Sequence, residues 1–352
     1  MDGDMRTQTL KITHEVLKLI AEIDEFKGAW AAIGRISPER LTSLRQVATI
    51  ESIGSSTRIE GACLSDVEVE RLLAGLDIEA FASRDEEEVA GYADVMELVF
   101  GNWSEITLSE NHIKHLHRDL LKYSSKDQRH RGEYKTLDNH VEAFGPDGES
   151  LGVVFQTATP FDTPRLMAEL VNWAGQNMEE SELHPLVVVA TFVVVFLEVH
   201  PFQDGNGRLS RILTTLLLLR AGYAYVPYSS LESVIEQSKE AYYLALRQTQ
   251  VTIRTDTPNW EPWLLFFLRS LAVHKQSLEQ KINRERLILG SLPELSVDLL
   301  ELCRERGRLS VAEAVAVSGR NRNTVKDHIK ALHKAGHLQR HGAGRGTWYT
   351  VM

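Results

Sequence analysis

The sequence predicts a mainly α-helical protein with one short β-hairpin and a separate C-terminal domain. Apolar residues recur at helical spacing over long stretches, for example Leu44, Val47, Ile50 and Ile53. This periodicity is lost over residues 125–160, where a Gly-Pro-Asp-Gly turn at 145–148 separates two apolar segments and predicts a hairpin. From residue 291 onward the balance of charge changes sign, which indicates a domain boundary.

Composition and charge exclude several classes of protein. The 352 residues are 43% hydrophobic and carry a net charge of −10, which argues against a surface that binds nucleic acid throughout. Cys63 and Cys303 are the only cysteines, so neither a disulfide framework nor a cysteine-rich zinc site is expected. No apolar run reaches the ~20 residues that span a bilayer, and no signal-peptide pattern is seen. We expect a cytoplasmic protein without a membrane partner.

The N-terminal part is predicted to form helices over residues 5–35 and 38–61. The second helix ends in the segment Ser56-Thr57-Arg58-Ile59-Glu60-Gly61, where Gly61 is suited to the C-cap. Glu60 then lies at the negative end of a helix dipole, where a carboxylate is disfavoured. Such a glutamate is most often a solvated surface residue.

A glycine-rich loop at residues 200–211 has the sequence His-Pro-Phe-Gln-Asp-Gly-Asn-Gly-Arg-Leu-Ser-Arg and is followed by a helix predicted over 208–220. Its glycines allow backbone N–H groups to approach an anion, and the start of a helix favours phosphate. Arg208 and Arg211 share one face of the first turn, where cations oppose the helix dipole. We therefore expect an anionic ligand at this loop.

The pattern HPFxDGNGRxxR is the signature of the Fic-domain family, and residues 200–211 match it at every specified position. The sequence resembles that family over roughly residues 45–270. The resemblance implies a helical core in which the motif joins two central helices, and transfer of AMP from ATP to a protein hydroxyl. The valines of 186–199 favour a strand, but the length of this run and the resemblance favour a helix.

The resemblance also implies roles for individual residues. His200 would act as general base on the target hydroxyl, and Asp204 would hold Mg²⁺ on the phosphates of ATP. The residues implied to bind ATP and its phosphates are Gly205, Asn206, Gly207, Arg208, Arg211, Tyr242 and Tyr243. For the two tyrosines, which recur in similar proteins near the adenine, aromatic core packing is an equal alternative.

A second pattern of similar proteins, (S/T)xxxE(G/N), matches Ser56 to Gly61. In such proteins the glutamate points into the active site and pairs with the second arginine of the motif. The resemblance therefore implies that Ser56, Glu60 and Gly61 form an inhibitory element. Glu60 would pair with Arg211 and block the place of the γ-phosphate.

Two further stretches carry residues of chemical interest. His112, His115 and His117 are interpreted as ordinary helix positions, because no carboxylate or cysteine pattern completes a metal site. Gly132-Glu133-Tyr134-Lys135 resembles a recurring stretch of similar proteins, with lysine where arginine is more usual. Related proteins have a hairpin flap that holds the target by strand pairing, which we expect at residues 140–155.

The tail, residues 291–352, has ten Lys/Arg and six Asp/Glu, a charge of +4, and resembles a winged helix. Arg320, Arg322, Asn323 and Lys326 would lie near the start of its recognition helix, where base contacts are usually made. DNA and a protein partner both remain open, as does a homodimer. The predicted organisation is a helical region with the inhibitory helix (1–100), a Fic catalytic core (101–285) and a winged-helix domain (286–352).

These features predict a protein adenylyltransferase that is inhibited by its own Glu60, with ATP as substrate and Mg²⁺ as cofactor. Two alternatives remain open. Some proteins with the same two motifs remove AMP from a modified protein, with the glutamate positioning water. A transcription regulator that only senses nucleotide is the other alternative, although the intact His200 and Asp204 argue against it.

Overall fold

The computed structural model describes residues 7–32, 38–75, 81–139, 141–144, 150–180, 182–290 and 292–351. The described residues fall into two compact units, one within residues 1–33 and 44–276 and the other within 34–43 and 277–352. Among them, no helix combines the length and the apolar character that crossing a membrane requires.

The first unit is mainly helical, and residues 38–43 of α2 and 277–290 of α11 are assigned to the second unit. Its helices are α1 (His14–Ala32), α2 (Pro38–Ile59), α3 (Asp66–Ala74), α4 (Arg84–Asn102), α5 (Glu110–Leu120), α6 (Thr163–Glu180), α7 (Pro185–Val199), α8 (Asn206–Arg220), α9 (Leu231–Gln237), α10 (Lys239–Ile253) and α11 (Glu261–Gly290). Short 3₁₀ turns lie at Thr7–Thr9 and Val226–Tyr228.

The valine-rich run at residues 186–199 forms a helix, as predicted. Every residue of α7 from Leu186 to Val199 is buried, so the helix is enclosed on all sides in the core. Pro185 occupies the first turn, where its missing N–H is tolerated. Burial therefore overrides the intrinsic preference of valine for strands. The next helix along the chain, α8, packs against α7 and is buried over most of its length.

Some boundaries differ from those expected. The helix predicted over 208–220 begins two residues earlier, at Asn206, and Gly222 follows its end with a φ of 85°. Between residues 231 and 253 the chain forms two helices, α9 and α10, and Ser238 leaves the helical backbone conformation between them. Residues 10–13 are not helical, so the first predicted helix begins only at His14.

The hairpin strands lie where the sequence predicted them. Strand β1 (Val141–Phe144) pairs antiparallel with β2 (Ser150–Phe155), and Val141 opposite Phe155 is the outermost pair. The turn predicted at 145–148 lies outside the described residues.

The second unit contains three helices and a small sheet. The helices α12 (Glu294–Arg306), α13 (Val311–Ser318) and α14 (Arg322–Lys334) surround a core that includes Leu299, Ile329 and Leu332. Strands β3 (Leu309–Ser310), β4 (Leu338–His341) and β5 (Trp348–Val351) are arranged in the order β3-β5-β4, and a 3₁₀ turn lies at Gly344–Gly346. The side chains of Ser310 and Asn321 cap the N-termini of α13 and α14.

Candidate active site

The loop between α7 and α8 is held in an unusual backbone conformation. His200 ends α7 with a φ of 52°, and it is the one non-glycine residue in the described part of the chain with a positive φ. Gly205 precedes α8 with a φ of 78°, which a residue with a side chain rarely adopts. The loop therefore turns twice through the left-handed region within six residues and points the first N–H groups of α8 at a cleft.

Asn206 closes this loop with its side chain. Its Oδ1 accepts a hydrogen bond from Phe202 N at 2.9 Å, and its Nδ2 donates to Phe202 O at 2.7 Å. The residue is 2% exposed. The side-chain amide is thus engaged with the backbone of the loop, and the part of Asn206 that faces a ligand is its main chain at the start of α8.

A cleft of about 390 Å³ lies over this loop. Eight of the residues singled out in the sequence line it, and they are Glu60, His200, Asp204, Gly205, Asn206, Gly207, Tyr242 and Tyr243. Gln203 and Arg247 also face it. Arg208 and Arg211 are 2% and 4% exposed and lie behind the wall of the cleft. Ser56 is buried under Arg211, and Gly61 follows Glu60 in the turn after α2.

Glu60 pairs with Arg211. Its Oε1 accepts a hydrogen bond from Arg211 Nη2 at 2.8 Å. The same guanidinium donates from Nε to Ser56 Oγ at 2.8 Å and from Nη2 to Ser56 O at 2.9 Å. Burial raises the pKa of Glu60, but the charge and hydrogen bond of Arg211 outweigh this and leave the pKa below its ordinary value. The carboxylate is therefore ionised at neutral pH.

The Glu60 carboxylate also lies directly against the backbone at Gly207. A β-carbon added to Gly207 would lie 2.1 Å from Glu60 Oε1 and 2.8 Å from its carboxyl carbon. Only a glycine leaves room for the carboxylate at this distance. Glu60 thus lies beside the N-terminus of α8, an end of a helix that favours an anion.

His200 is neutral in this environment. The end of a helix favours a protonated imidazole, but burial is the larger effect and lowers the pKa of His200 to about 4. Its Nδ1 lies 3.3 Å from Leu197 O, a contact that places the proton on Nδ1 and leaves Nε2 as the acceptor. A neutral imidazole with a free acceptor nitrogen can take a proton from a hydroxyl group.

Asp204 belongs to a ring of four charged side chains. Its carboxylate lies 3.0 Å from Arg84 Nη2 and 3.5 Å from Arg208 Nη2, and Glu88 contacts the same two arginines at 2.8 and 3.0 Å. Burial raises the pKa of Asp204, while Arg208, the N–H of Gly205 and Arg84 together hold it below its ordinary value. Asp204 is therefore available as a carboxylate ligand.

The acidic run at residues 85–88 has both a capping and a supporting role. The run begins α4 after the N-cap Ser83. Glu88, however, is 11% exposed, and its Oε2 lies 3.0 Å from Arg208 Nη1. Sequence periodicity does not identify this role, because Arg208 is supplied by a different helix.

His117 is a second residue that the sequence did not single out as functional. It is fully buried and stacks on Phe202 with ring centroids 3.8 Å apart. Gly132 N donates to His117 Nδ1 at 2.8 Å, so the proton of the ring is on Nε2, which donates to Asp204 O at 2.9 Å. The side chain ties the motif loop to the stretch at 132–135.

The two tyrosines occupy different environments. Tyr242 is 3% exposed and packs at a tilt or edge-on against Trp263 and Phe266, as the alternative of core packing predicted. Tyr243 is 43% exposed and presents its ring at the mouth of the cleft. Only Tyr243 is thus placed with a free face for a planar ligand.

The residues present fit a magnesium ion that comes with a nucleotide. No group of three His, Cys, Asp or Glu side chains able to hold a metal is found within the described ranges. Mg²⁺ commonly binds to one or two carboxylates together with substrate phosphates and water. Asp204, at the edge of the cleft beside the N-terminus of α8, offers such a single carboxylate.

Residues 107–218 match the model of the Fic/DOC family. The protein adenylyltransferases Fic of Drosophila grimshawi and Drosophila virilis are 27% and 28% identical to this chain over 246 residues, which cover 69% of this chain and 46% of theirs. The chain thus spans less than half the length of these curated relatives.

Two solved structures share the fold. A Fic family protein from Desulfovibrio desulfuricans is similar over 97% of both chains, with a TM-score of 0.63 and 22% identity. Fic-1 from C. elegans is similar over 78% of this chain and 72% of its own, with a TM-score of 0.59 and 19% identity. This mainly helical chain therefore contains a segment, residues 107–218, that matches the Fic/DOC family, and it is distantly similar to the protein adenylyltransferases Fic.

Proposed function

We propose that this protein is an adenylyltransferase that moves AMP from ATP to a hydroxyl side chain of a target protein or of itself, and that Glu60 inhibits it. The observation that supports this most directly is the Glu60–Arg211 ion pair at 2.8 Å, inside the cleft that also contains His200 and Asp204. The relation to protein adenylyltransferases supports the reaction type.

In the proposed reaction the chain supplies a base and a phosphate cradle. Nε2 of the neutral His200 takes the proton from the target hydroxyl, whose oxygen attacks the α-phosphorus of ATP in line with the leaving pyrophosphate. The backbone of Gly205 and Gly207 and the guanidinium of Arg208 stabilise the negative charge on the phosphates. Positioning and electrostatics supply most of the rate enhancement in such chemistry.

Asp204 would hold Mg²⁺ on the phosphates of the nucleotide, where the ion neutralises charge as it develops. Arg84 and Arg208 keep Asp204 ionised before the ion arrives. Tyr243, Leu246 and Gln250 line the other side of the cleft, on one face of α10, and would contact the base.

Inhibition follows from competition for one guanidinium. Arg211 would bind the γ-phosphate, but in this structure its Nη2 is bonded to Glu60. Because the Glu60 carboxylate lies against Gly207, it also occupies space that phosphate oxygens need. The Glu60 carboxylate would repel the negatively charged phosphates of ATP, so ATP binds productively only when Glu60 moves away.

The target hydroxyl would be presented by a protein segment that pairs with the hairpin at residues 140–155. Such strand addition relies on main-chain hydrogen bonds and demands little of the sequence that is bound. The C-terminal unit would contribute a docking surface, for DNA or for a protein, and a homodimer is a further partner to test.

The test uses Mg²⁺ with ATP labelled at either the α- or the γ-phosphate. Wild type, Glu60→Gly and Glu60→Gly/His200→Ala are compared, each alone and with lysate as a source of targets. Removing the carboxylate frees Arg211, so we expect covalent α-label on Glu60→Gly well above wild type, and its loss when His200 is also removed. γ-Label alone would indicate a kinase-like reaction and contradict the proposal.

The same samples separate the alternative functions. If no variant is labelled, a protein already carrying AMP is added, and release of AMP that requires Glu60 would assign the chain to AMP removal. Binding of ATP without transfer or release, together with nucleotide-dependent binding of DNA, would assign it to regulation.

A further inference from the structure

Lys135 is a buried cation with three hydrogen-bond acceptors around it. Its side chain is 3% exposed. The ammonium group donates to Asn139 Oδ1 at 2.8 Å, to Thr157 Oγ1 at 3.0 Å and to Val199 O at 3.0 Å. Since an ammonium group has three N–H donors, all of them are used.

The three acceptors belong to parts of the chain that are far apart in sequence. Val199 is the last residue of α7, so its carbonyl is one of the free acceptors at that helix end. Asn139 lies two residues before β1 and Thr157 two residues after β2, and Thr157 Oγ1 donates to Asn139 Oδ1 at 3.0 Å. Lys135 is thus bonded to both feet of the hairpin and to the helix that presents the base.

The same group of residues fixes the backbone on both sides of His200. Asn139 Nδ2 donates to Phe202 O at 2.6 Å and to His200 O at 3.2 Å, and Lys135 N donates to Pro201 O at 2.8 Å. Three consecutive carbonyl groups are held in this way. A positive φ is unfavourable for a residue other than glycine, so the surroundings must impose it on His200.

We propose that Lys135 is a positioning residue that holds the hairpin and the imidazole of His200 at one fixed separation, so that a hydroxyl on a segment paired along the hairpin meets the base. This inference rests on the proposed function. A base acts only within hydrogen-bond reach of its proton, and a displacement of 1 Å costs about 10²-fold in rate.

The positive charge of Lys135 also affects His200. Burial lowers the pKa of Lys135 to about 8, so the ammonium form still predominates at neutral pH. Burial is the largest cause of the lowered pKa of His200, and the positive charge of Lys135 lowers this pKa further. An uncharged replacement would lose the positive charge and leave the three acceptors without their donor.

The first test measures transfer of AMP in the Glu60→Gly background for Lys135→Met, Lys135→Arg and Thr157→Val. For Lys135→Met we expect kcat to fall about 10²-fold because the base is displaced, while KM and the calorimetric affinity for ATP stay within about twofold because neither Lys135 nor Asn139 is bonded to Gly205 or Gly207. Lys135→Arg keeps the charge and several donors, so it should retain kcat within about fivefold. Lys18→Met, an exposed lysine on α1, is the matched control.

The second test needs no transfer activity. Hydrogen exchange of the full chain is followed in peptides that cover β1, β2 and residues 199–206. We expect exchange in the hairpin and in the loop to accelerate together in Lys135→Met and, more weakly, in the milder Thr157→Val, and to stay unchanged in Lys18→Met. If Glu60→Gly transfers no AMP, the proposed function fails, and this measurement still decides whether Lys135 couples the two segments.

Three outcomes would overturn the proposal. Faster exchange in only one of the two segments would show that they are not coupled through Lys135. A loss of ATP affinity as large as the loss of kcat would indicate a general structural role. Failure of Lys135→Arg to retain kcat would show that the charge and donors are not what matters. If Lys135→Met does not fold, Thr157→Val and Lys135→Arg provide the comparison.

Discussion

The side chain of His117 holds the backbone of the loop at residues 200–211 in place. Both ring nitrogens are bonded to backbone groups, Nδ1 to Gly132 N and Nε2 to Asp204 O. A protonated ring would place an N–H group against the N–H of Gly132, so only the neutral ring fits. Burial lowers the pKa of His117 to about 4, with a smaller opposing effect from Asp204 O.

This contact predicts a dependence of stability on pH. The folded-state pKa of His117 lies below its unfolded value of about 6.5, so its contribution is fully present above pH 6.5 and is lost as the pH falls toward about 4. The shift corresponds to a loss on the order of 3 kcal/mol in the free energy of unfolding.

The measurement is urea unfolding at pH 7.0 and pH 4.5 for wild type and His117→Gln. The glutamine side chain does not titrate, so we expect the variant to be less stable than wild type at pH 7.0 and to lose less stability on acidification. Other groups titrate equally in both proteins and cancel in the comparison. An equal loss in both would show that His117 does not cause the dependence.

At the scale of elements, the seven-residue helix α9 holds the end of α2 through one carboxylate. Glu236 accepts from Arg58 Nε at 2.7 Å and from Arg58 Nη2 at 3.0 Å. One turn earlier on α9, the buried Glu232 accepts from Tyr92 OH of α4 at 3.3 Å. Arg58 precedes Glu60 by two residues, so α9 contributes to keeping Glu60 in the cleft.

We therefore predict that Glu236→Gln partly relieves inhibition. Losing one partly buried ion pair costs about 1 kcal/mol, which corresponds to about a fivefold increase in AMP transfer by a chain that retains Glu60. Glu240→Gln, an exposed position at the start of α10, serves as the control. If Glu236→Gln leaves transfer at the wild-type rate, the Arg58–Glu236 pair does not hold the inhibitory element.

The sequence allows prediction of features that depend on neighbouring residues. The loop at 200–211 and the hairpin strands are local patterns, and the structure has them where they were expected. The roles of Glu88, His117 and Lys135 depend on which helices pack together, and each of these residues contacts a segment more than 60 positions away. Contacts between residues so far apart in the chain produce no periodic pattern in a single sequence.

At the scale of the whole molecule, charge is divided unevenly along the chain. Residues 291–352 carry +4 within a total of −10. In α14, Val325, Ile329 and Leu332 face the core of the second unit. The opposite face is exposed and presents Asn323, Lys326 and Lys330. We call this surface the basic face of α14, and we expect it to bind either DNA or a protein partner.

We predict that the basic face of α14 binds double-stranded DNA weakly and in a salt-dependent manner. Changing Lys326→Glu/Lys330→Glu should remove about two phosphate contacts, and so lower the slope of log affinity against log salt concentration by about two. Fluorescence anisotropy of a labelled duplex from low to physiological salt measures both quantities. Lys11→Glu/Lys18→Glu, which changes the charge equally at exposed positions before or in α1, is the control. No binding at low salt would assign the face to a protein partner.

The contact between Glu60 and Gly207 has a consequence for how sequences of this kind can diverge. A side chain at position 207 and a carboxylate from position 60 cannot occupy the same space, since the added β-carbon would lie 2.1 Å from Oε1. A side chain at 207 would therefore force the Glu60 carboxylate out of the position it has in this structure, so a lineage that keeps the carboxylate there is expected to keep the glycine. A lineage that loses the glutamate is free of this steric limit at 207, although the phosphate still limits it. The two positions should vary together, and their covariation would record where the inhibition proposed for Glu60 has been lost in evolution.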